Sequence, residues 1–113
     1  MEDETKISTN IDTAIPLGMI VNELVTNSFK YAFKDVASPI ITLRLVSITT
    51  NTYQLIITDN GSGLPNHQLP TNHHTLGLKL VHLFTEEIGG NISYKTKDGA
   101  CFTIQFQIST LVL

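Results

Sequence analysis

The stretch "TYQLIITDNGSGLP", residues 52–65, decides how the rest of the chain is read. Its first half alternates, so Tyr53, Leu55, Ile57 and Asp59 share one side of a strand in a run dominated by β-branched and aromatic residues. If that side is the core, Asp59 points inward. A buried carboxylate without a partner costs several kcal/mol, so Asp59 needs a donor from the protein or from a ligand. A plainer reading is that Asp59 caps the turn that follows. Gly61 and Gly63 let the backbone after it take φ > 0 or pass close to a flat group, and on its own a D-x-G-x-G spacing is weak evidence of anything more.

Working outward, "ITLRLVSI" (41–48) alternates in the same way, and the short "TTN" joins it to 52–59 as a hairpin. Upstream, "DTAIPLGMIVNELVTNSFKYAF" (12–33) opens with capping residues and a proline and runs without a breaker, which predicts one long helix. Downstream, residues 60–75 hold two prolines and two glycines and read as a long loop. "LGLKLVHLFTEEI" (76–88) has helical spacing at Leu76, Leu80, Leu83 and Phe84 and stops at Gly89-Gly90. "NISYKTK" and "CFTIQFQI" flank Asp98-Gly99, a strong hairpin turn, and a small first strand is expected at Lys6 to Thr9. This order predicts an α+β domain: a two-layer α/β sandwich whose mixed, mostly antiparallel sheet carries its helices on one face.

The bulk properties agree with one domain spanning residues 1–113. The chain has 113 residues, 42% hydrophobic and 15% charged, with a formal charge of −3. Its scattered Lys and Arg give no basic field to draw nucleic acid. A single cysteine, Cys101, cannot close an internal disulfide, and the opening "MEDETKIS" is not a signal peptide, so a cytoplasmic setting is expected. No apolar run reaches membrane-spanning length, and no membrane contact by this domain is expected.

On the first helix, Val21, Leu24, Val25, Ser28 and Ala32 fall within about 100° of one another and should pack on the sheet. Glu23, Asn27, Lys30 and Tyr31 gather on the opposite side. That face could simply be solvated, but Asn is a poor mid-helix residue, and the oxygens of Asn and Glu suit a hard cation such as Mg²⁺. "TLGLKL" (75–80), where loop meets helix, offers free backbone N–H groups to an anion such as phosphate. The Walker and dinucleotide glycine motifs are absent.

"ELVTNSFKYAF", "DNGSGLP" and "TLGLKLV", in this order and at these separations, resemble the ATP-binding catalytic domain of bacterial sensor histidine kinases. That domain has the Bergerat-type fold of the gyrase, chaperone, histidine kinase and mismatch-repair ATPases. "IPLGMIVNELVTNSFKYAF" is most similar to the branch with the variant dimerisation domain.

The resemblance implies that Asp59 accepts a hydrogen bond from the adenine amino group, with Gly61 and Gly63 passing the ring. It implies that Asn27 coordinates Mg²⁺ across the phosphates, with Glu23 beside it to position water, metal or nucleophile. Lys30 would reach the phosphates, Tyr31 would lie against adenine or ribose, and Gly77 would close on the phosphates under a lid at 64–75. Leu64, Leu78 and Thr103 would complete the nucleotide contacts.

Two departures stand out. The family usually has Thr where "DGACF" has Ala100, which bears on adenine affinity, and the phosphate loop keeps only "LGL".

The activity implied is transfer of the γ-phosphoryl group of ATP to a histidine on a separate dimerisation domain, and thence to a response regulator. That domain would precede Glu23, so the chain reads as an excised catalytic unit, not expected to phosphorylate its own His67, His73, His74 or His82. The competing reading of the same fold is a regulatory module that binds a partner protein in a nucleotide-dependent way, as anti-sigma factors do, without kinase turnover.

Overall fold

The computed structural model describes residues 11–33, 36–61, 76–96 and 99–108, with the side chains of residues 11, 31, 32 and 76 excepted. The expected first strand at Lys6 to Thr9 and the loop over 62–75 lie outside the described residues.

Four strands form one sheet in the order β1-β2-β4-β3, where β1 is Ile41–Ser47, β2 Thr52–Asp59, β3 Asn91–Thr96 and β4 Ala100–Gln107. Each pairing is antiparallel, so the expected mixed, mostly antiparallel sheet is wholly antiparallel among the described strands. The alternation read from the sequence is the alternation of the pleat. Leu55 and Ile57 of β2 and Phe102, Ile104 and Phe106 of β4 are buried on one face. On the other face lie Gln54, Thr58, Cys101, Thr103 and Gln105, and the Gln54 amide donates to Gln105 Oε1 at 3.1 Å across the ladder. Aromatic pairs sit directly opposite one another on the core face: Tyr53 with Phe106 at 6.1 Å and Tyr94 with Phe102 at 4.9 Å between ring centres.

Helices α1 (Ile11–Asn27) and α2 (Leu76–Glu87) pack side by side and supply Ile20, Leu24 and Val81 to the core. The long first helix departs from expectation at its end. After Asn27 it widens into a π-helical turn, Ser28–Ala32, closed where the Phe33 N–H donates to the Ser28 carbonyl at 3.2 Å. The buried line of α1 runs through Pro16, Ile20, Leu24 and Ser28, one turn apart, and takes in Asn27 as well.

The face expected of α2 is also corrected. Leu78, Val81 and Thr85 are buried, whereas Leu83 is 59% exposed. Leucines lie all round this helix, and the inward line at 78, 81 and 85 includes a threonine that can be buried only because its hydroxyl donates to the Val81 carbonyl at 2.6 Å. α2 then ends on Gly89 at φ +66, with the Gly90 N–H donating to the Thr85 carbonyl at 2.9 Å. Among the described residues no helix is long and apolar enough to cross a membrane.

Candidate functional site

Three elements meet where β2 ends. Asp59 is the last residue of β2 and opposes Ile41 at the start of β1. Ser28 opens the π-turn of the first helix, and Ala100 opens β4. The Asp59 carboxylate is buried at 8% exposure and takes three donors. The N–H groups of Gly61 and Ala100 donate to Oδ1 at 2.9 and 3.1 Å, and the Ser28 hydroxyl donates to Oδ2 at 2.8 Å. Both readings of this acid are therefore met: it points inward, and it caps the turn through Gly61. The protein itself supplies the donors that a buried carboxylate requires. Among the described residues, one of the four lone-pair positions remains open, on Oδ2.

The glycine and asparagine on either side of this centre fix its backbone. Gly99 has φ +129, and a Cβ there would collide with the Asp59 carbonyl, so the backbone entering β4 can lie against Asp59 only because residue 99 has no side chain. Asn60 ties down the approach to β1: its Oδ1 accepts from the Ile40 N–H at 2.9 Å and its Nδ2 donates to the Ser38 carbonyl at 2.8 Å.

The second part of the site begins at Asn27, the residue before Ser28, and reaches about one turn back to Glu23. Asn27 is 8% exposed, not on a solvated face as the helical wheel places it, because the first turn of α2 packs over it. Gly77 makes that approach possible. A Cβ at residue 77 would lie 2.8 Å from Glu23 Oε2 and 3.5 Å from Asn27 Oδ1. Glu23, Asn27 and the N-terminal turn of α2, whose first amides have no intrahelical acceptor, thus share one small volume. Asn27 Nδ2 is buried and finds no hydrogen-bond partner among the described residues. A buried amide left in this state costs about 1–3 kcal/mol, and a polar ligand would relieve it.

The donor set fits a nucleotide with Mg²⁺. Asn27 and Glu23 offer two adjacent oxygens, which is what a magnesium ion takes from protein when phosphates and water fill its other positions. The orphaned Asn27 N–H is a donor suited to a phosphate oxygen.

The other expected site residues divide. Lys30 is exposed in the last turn of the helix. Leu78, next to Gly77, is buried. Thr103 is turned away: it pairs with Ile56 and Ser93 on the outer face of the sheet, opposite to Asp59, because the period of two puts residues 100, 102 and 104 on the core side. The Tyr31 side chain, Gly63 and Leu64 lie outside the described residues. Ser28 lies on the sheet-facing stripe as helix spacing predicts, but spacing alone misses its bond to Asp59. A hydroxyl on an otherwise apolar stripe was the available signal, because it too must find a partner.

Comparison with known proteins gives the chain a family. The family model for "Histidine kinase-, DNA gyrase B-, and HSP90-like ATPase" matches residues 12–110. The chain is 28% identical over 83 residues to blue-light-activated histidine kinase 2 of Erythrobacter litoralis, covering 74% of this chain and 24% of that protein. Its fold superimposes on the histidine kinase domain of the Erythrobacter litoralis blue-light activated histidine kinase with a TM-score of 0.75 at 22% identity, over 92% of this chain and 48% of that one. The ATP binding domain of PrrB from Mycobacterium tuberculosis gives a TM-score of 0.69 at 25% identity, over 85% of this chain and 69% of that one. The chain thus spans about a quarter of the curated relative and about half of the first solved domain. With the match running through nearly all of its length, this chain belongs to the histidine kinase-, DNA gyrase B- and HSP90-like ATPase family.

Proposed function

We propose that the domain binds ATP with Mg²⁺ in the cytoplasm and delivers the γ-phosphoryl group to a histidine on a separate helical dimerisation domain, from which a response regulator takes it. The observation that carries this reading is the buried amide of Asn27, without a partner among the described residues, beside the Glu23 carboxylate at Gly77. No structural need explains such a group, whereas a triphosphate end would satisfy it.

In this reading the base lies at the Asp59 end, against Ser28, and the phosphates lie at the Asn27 and Glu23 end of the first helix. The open position on Asp59 Oδ2 accepts from the exocyclic amino group of adenine. Asn27 and Glu23 hold the phosphate end, Lys30 adds a positive charge there, and Gly77 leaves room for phosphate oxygens. When bound, Mg²⁺ supplies charge neutralisation across the phosphates.

In the transfer itself, the bond from the γ-phosphorus to its bridging oxygen breaks and a bond to an imidazole nitrogen of the acceptor forms. ADP leaves with the electron pair. Glu23 is placed to orient the incoming imidazole, and positioning and electrostatics do most of the work in such transfers.

The test is radiolabelled ATP with a helical hairpin carrying the parent protein's acceptor histidine. Label on the hairpin only when this domain and Mg²⁺ are both present supports the reading. Tight nucleotide binding with no transfer to that hairpin contradicts the kinase assignment and leaves a nucleotide-dependent binding module.

A further inference from the structure

The outward side of α2 carries a stripe that neither the core nor the candidate site uses. Lys79, Leu83, Glu86 and Glu87 stand on it at helical spacing, and all four are exposed, Leu83 at 59%. Lys79 is about 160° round the helix from Gly77, the residue that faces Glu23 and Asn27, so it is turned away from that site.

The charges on this stripe run against the dipole of their own helix. The first turn of α2 holds no acid and its last turn no base. Instead Lys79 stands near the positive N-terminal end, and Glu86 and Glu87 stand at the negative C-terminal end, each where the helix disfavours it. None of the three has a residue of opposite formal charge three or four positions away on α2 to offset this.

The same charges are disposed about Leu83 as a self-complementary set, with Lys79 one turn before it and Glu86 and Glu87 one turn after it. If a second α2 is turned end for end and laid on the first, Leu83 meets its own copy, and Lys79 of each chain meets Glu86 and Glu87 of the other. Every misplaced charge then gains an opposite one, and each helix end lies beside the opposite end of a dipole. The first helix widens the apolar centre. Because Gly77 lies against Glu23 and Asn27, α1 runs antiparallel to α2 beside it. Leu83 lies about 9 Å along the axis from Gly77, level with Met19, which precedes Glu23 by about 6 Å. Met19 and, one turn further on, Ile15 are 39% and 57% exposed.

We propose that two copies of this domain pair through antiparallel α2 helices about a two-fold axis at Leu83, with Met19 and Ile15 of α1 extending the contact. The face is small, which places the pairing at the weak end of specific interfaces, with a dissociation constant on the order of 0.1 mM. The inference is independent of the nucleotide reading.

Sedimentation velocity on the domain at concentrations from about 10 µM to about 1 mM, on either side of that constant, tests it. Wild type should pass from monomer to dimer across the range, and Leu83→Gln should abolish the change. Lys79→Glu makes the stripe wholly acidic, and Glu86→Lys with Glu87→Lys makes it wholly basic, so each of these variants alone should pair about tenfold or more weakly than wild type. Mixed in equal amounts, the acidic and basic variants should form a heterodimer at least as readily as wild type forms its dimer. Thermal unfolding checks that each variant is folded, and if a charge variant is not, Leu83→Gln decides. A wild type that stays monomeric at the highest concentration, a dimer that persists in folded Leu83→Gln, or an equal mixture of the folded charge variants that stays monomeric overturns the proposal.

Discussion

Asp59, Asn27 and Glu23 show how much chemistry a single side chain can carry once its partners are counted. Among the described residues Asp59 takes three donors and still holds one open position. Asn27 is the converse, a buried amide whose nitrogen finds no partner among the described residues. Replacing Asn27 by Asp removes that donor and sets a second carboxylate beside Glu23, where like charges weaken a phosphate site. The expected result is a drop of tenfold or more in transfer to an acceptor hairpin and a shifted magnesium requirement, read from initial rates across a Mg²⁺ titration, with adenine recognition largely kept. Normal rates at every Mg²⁺ concentration would reduce Asn27 to a packing residue. Asp59 was legible in the sequence because a period of two placed it on the core side. Asn27 was legible as polar and out of place, but not as buried, because no helical wheel shows a neighbouring helix arriving with a glycine.

At the scale of elements, strand periodicity was read more faithfully than helix facing. β2 occupies 52–59 as the alternation predicts, and its inward residues are the expected ones. On α2 the leucines misled, since a leucine-rich helix has no distinct apolar side and burial followed Val81 and Thr85 instead. Thr103 likewise went to the outer face by strand parity, which the sequence contained and the family likeness overrode.

Stability measurements in urea can check these assignments. Leu83→Gln should change stability by no more than about 0.5 kcal/mol, while Leu24→Ala should cost about 2–5 kcal/mol. Equal effects would mean that α2 is turned the other way. The junctions give two further expectations. Gly99→Ala forces a Cβ into the Asp59 carbonyl at φ +129, and should destabilise by about 2 kcal/mol or more. Gly77→Ala meets only the flexible end of Glu23, at 2.8 Å, so the fold should survive within about 1 kcal/mol while phosphoryl transfer falls as the carboxylate is pushed aside. A Gly77→Ala variant of full activity would remove Gly77 and Glu23 from the phosphate end.

For the whole molecule, an antiparallel sheet with two helices packed on one face sets Gln54, Thr58, Thr103 and Gln105 on the other, and gathers polar residues of its inner side at the end where β2, β4 and the first helix converge. The sandwich explains why residues 23, 27 and 77, and likewise residues 28, 59 and 99, come together though far apart in the chain, and why nothing in their spacing alone revealed the Ser28–Asp59 bond. The central claim is that this convergence binds adenine nucleotide through Asp59. Calorimetric titration of the domain with ATP and with GTP, each with Mg²⁺, for wild type and Asp59→Asn, tests it most directly. Wild type should bind ATP in the micromolar to millimolar range, about −8 to −4 kcal/mol, and Asp59→Asn should weaken ATP by tenfold or more with little effect on GTP. Equal ATP affinity in a folded mutant and in the wild type would contradict the account.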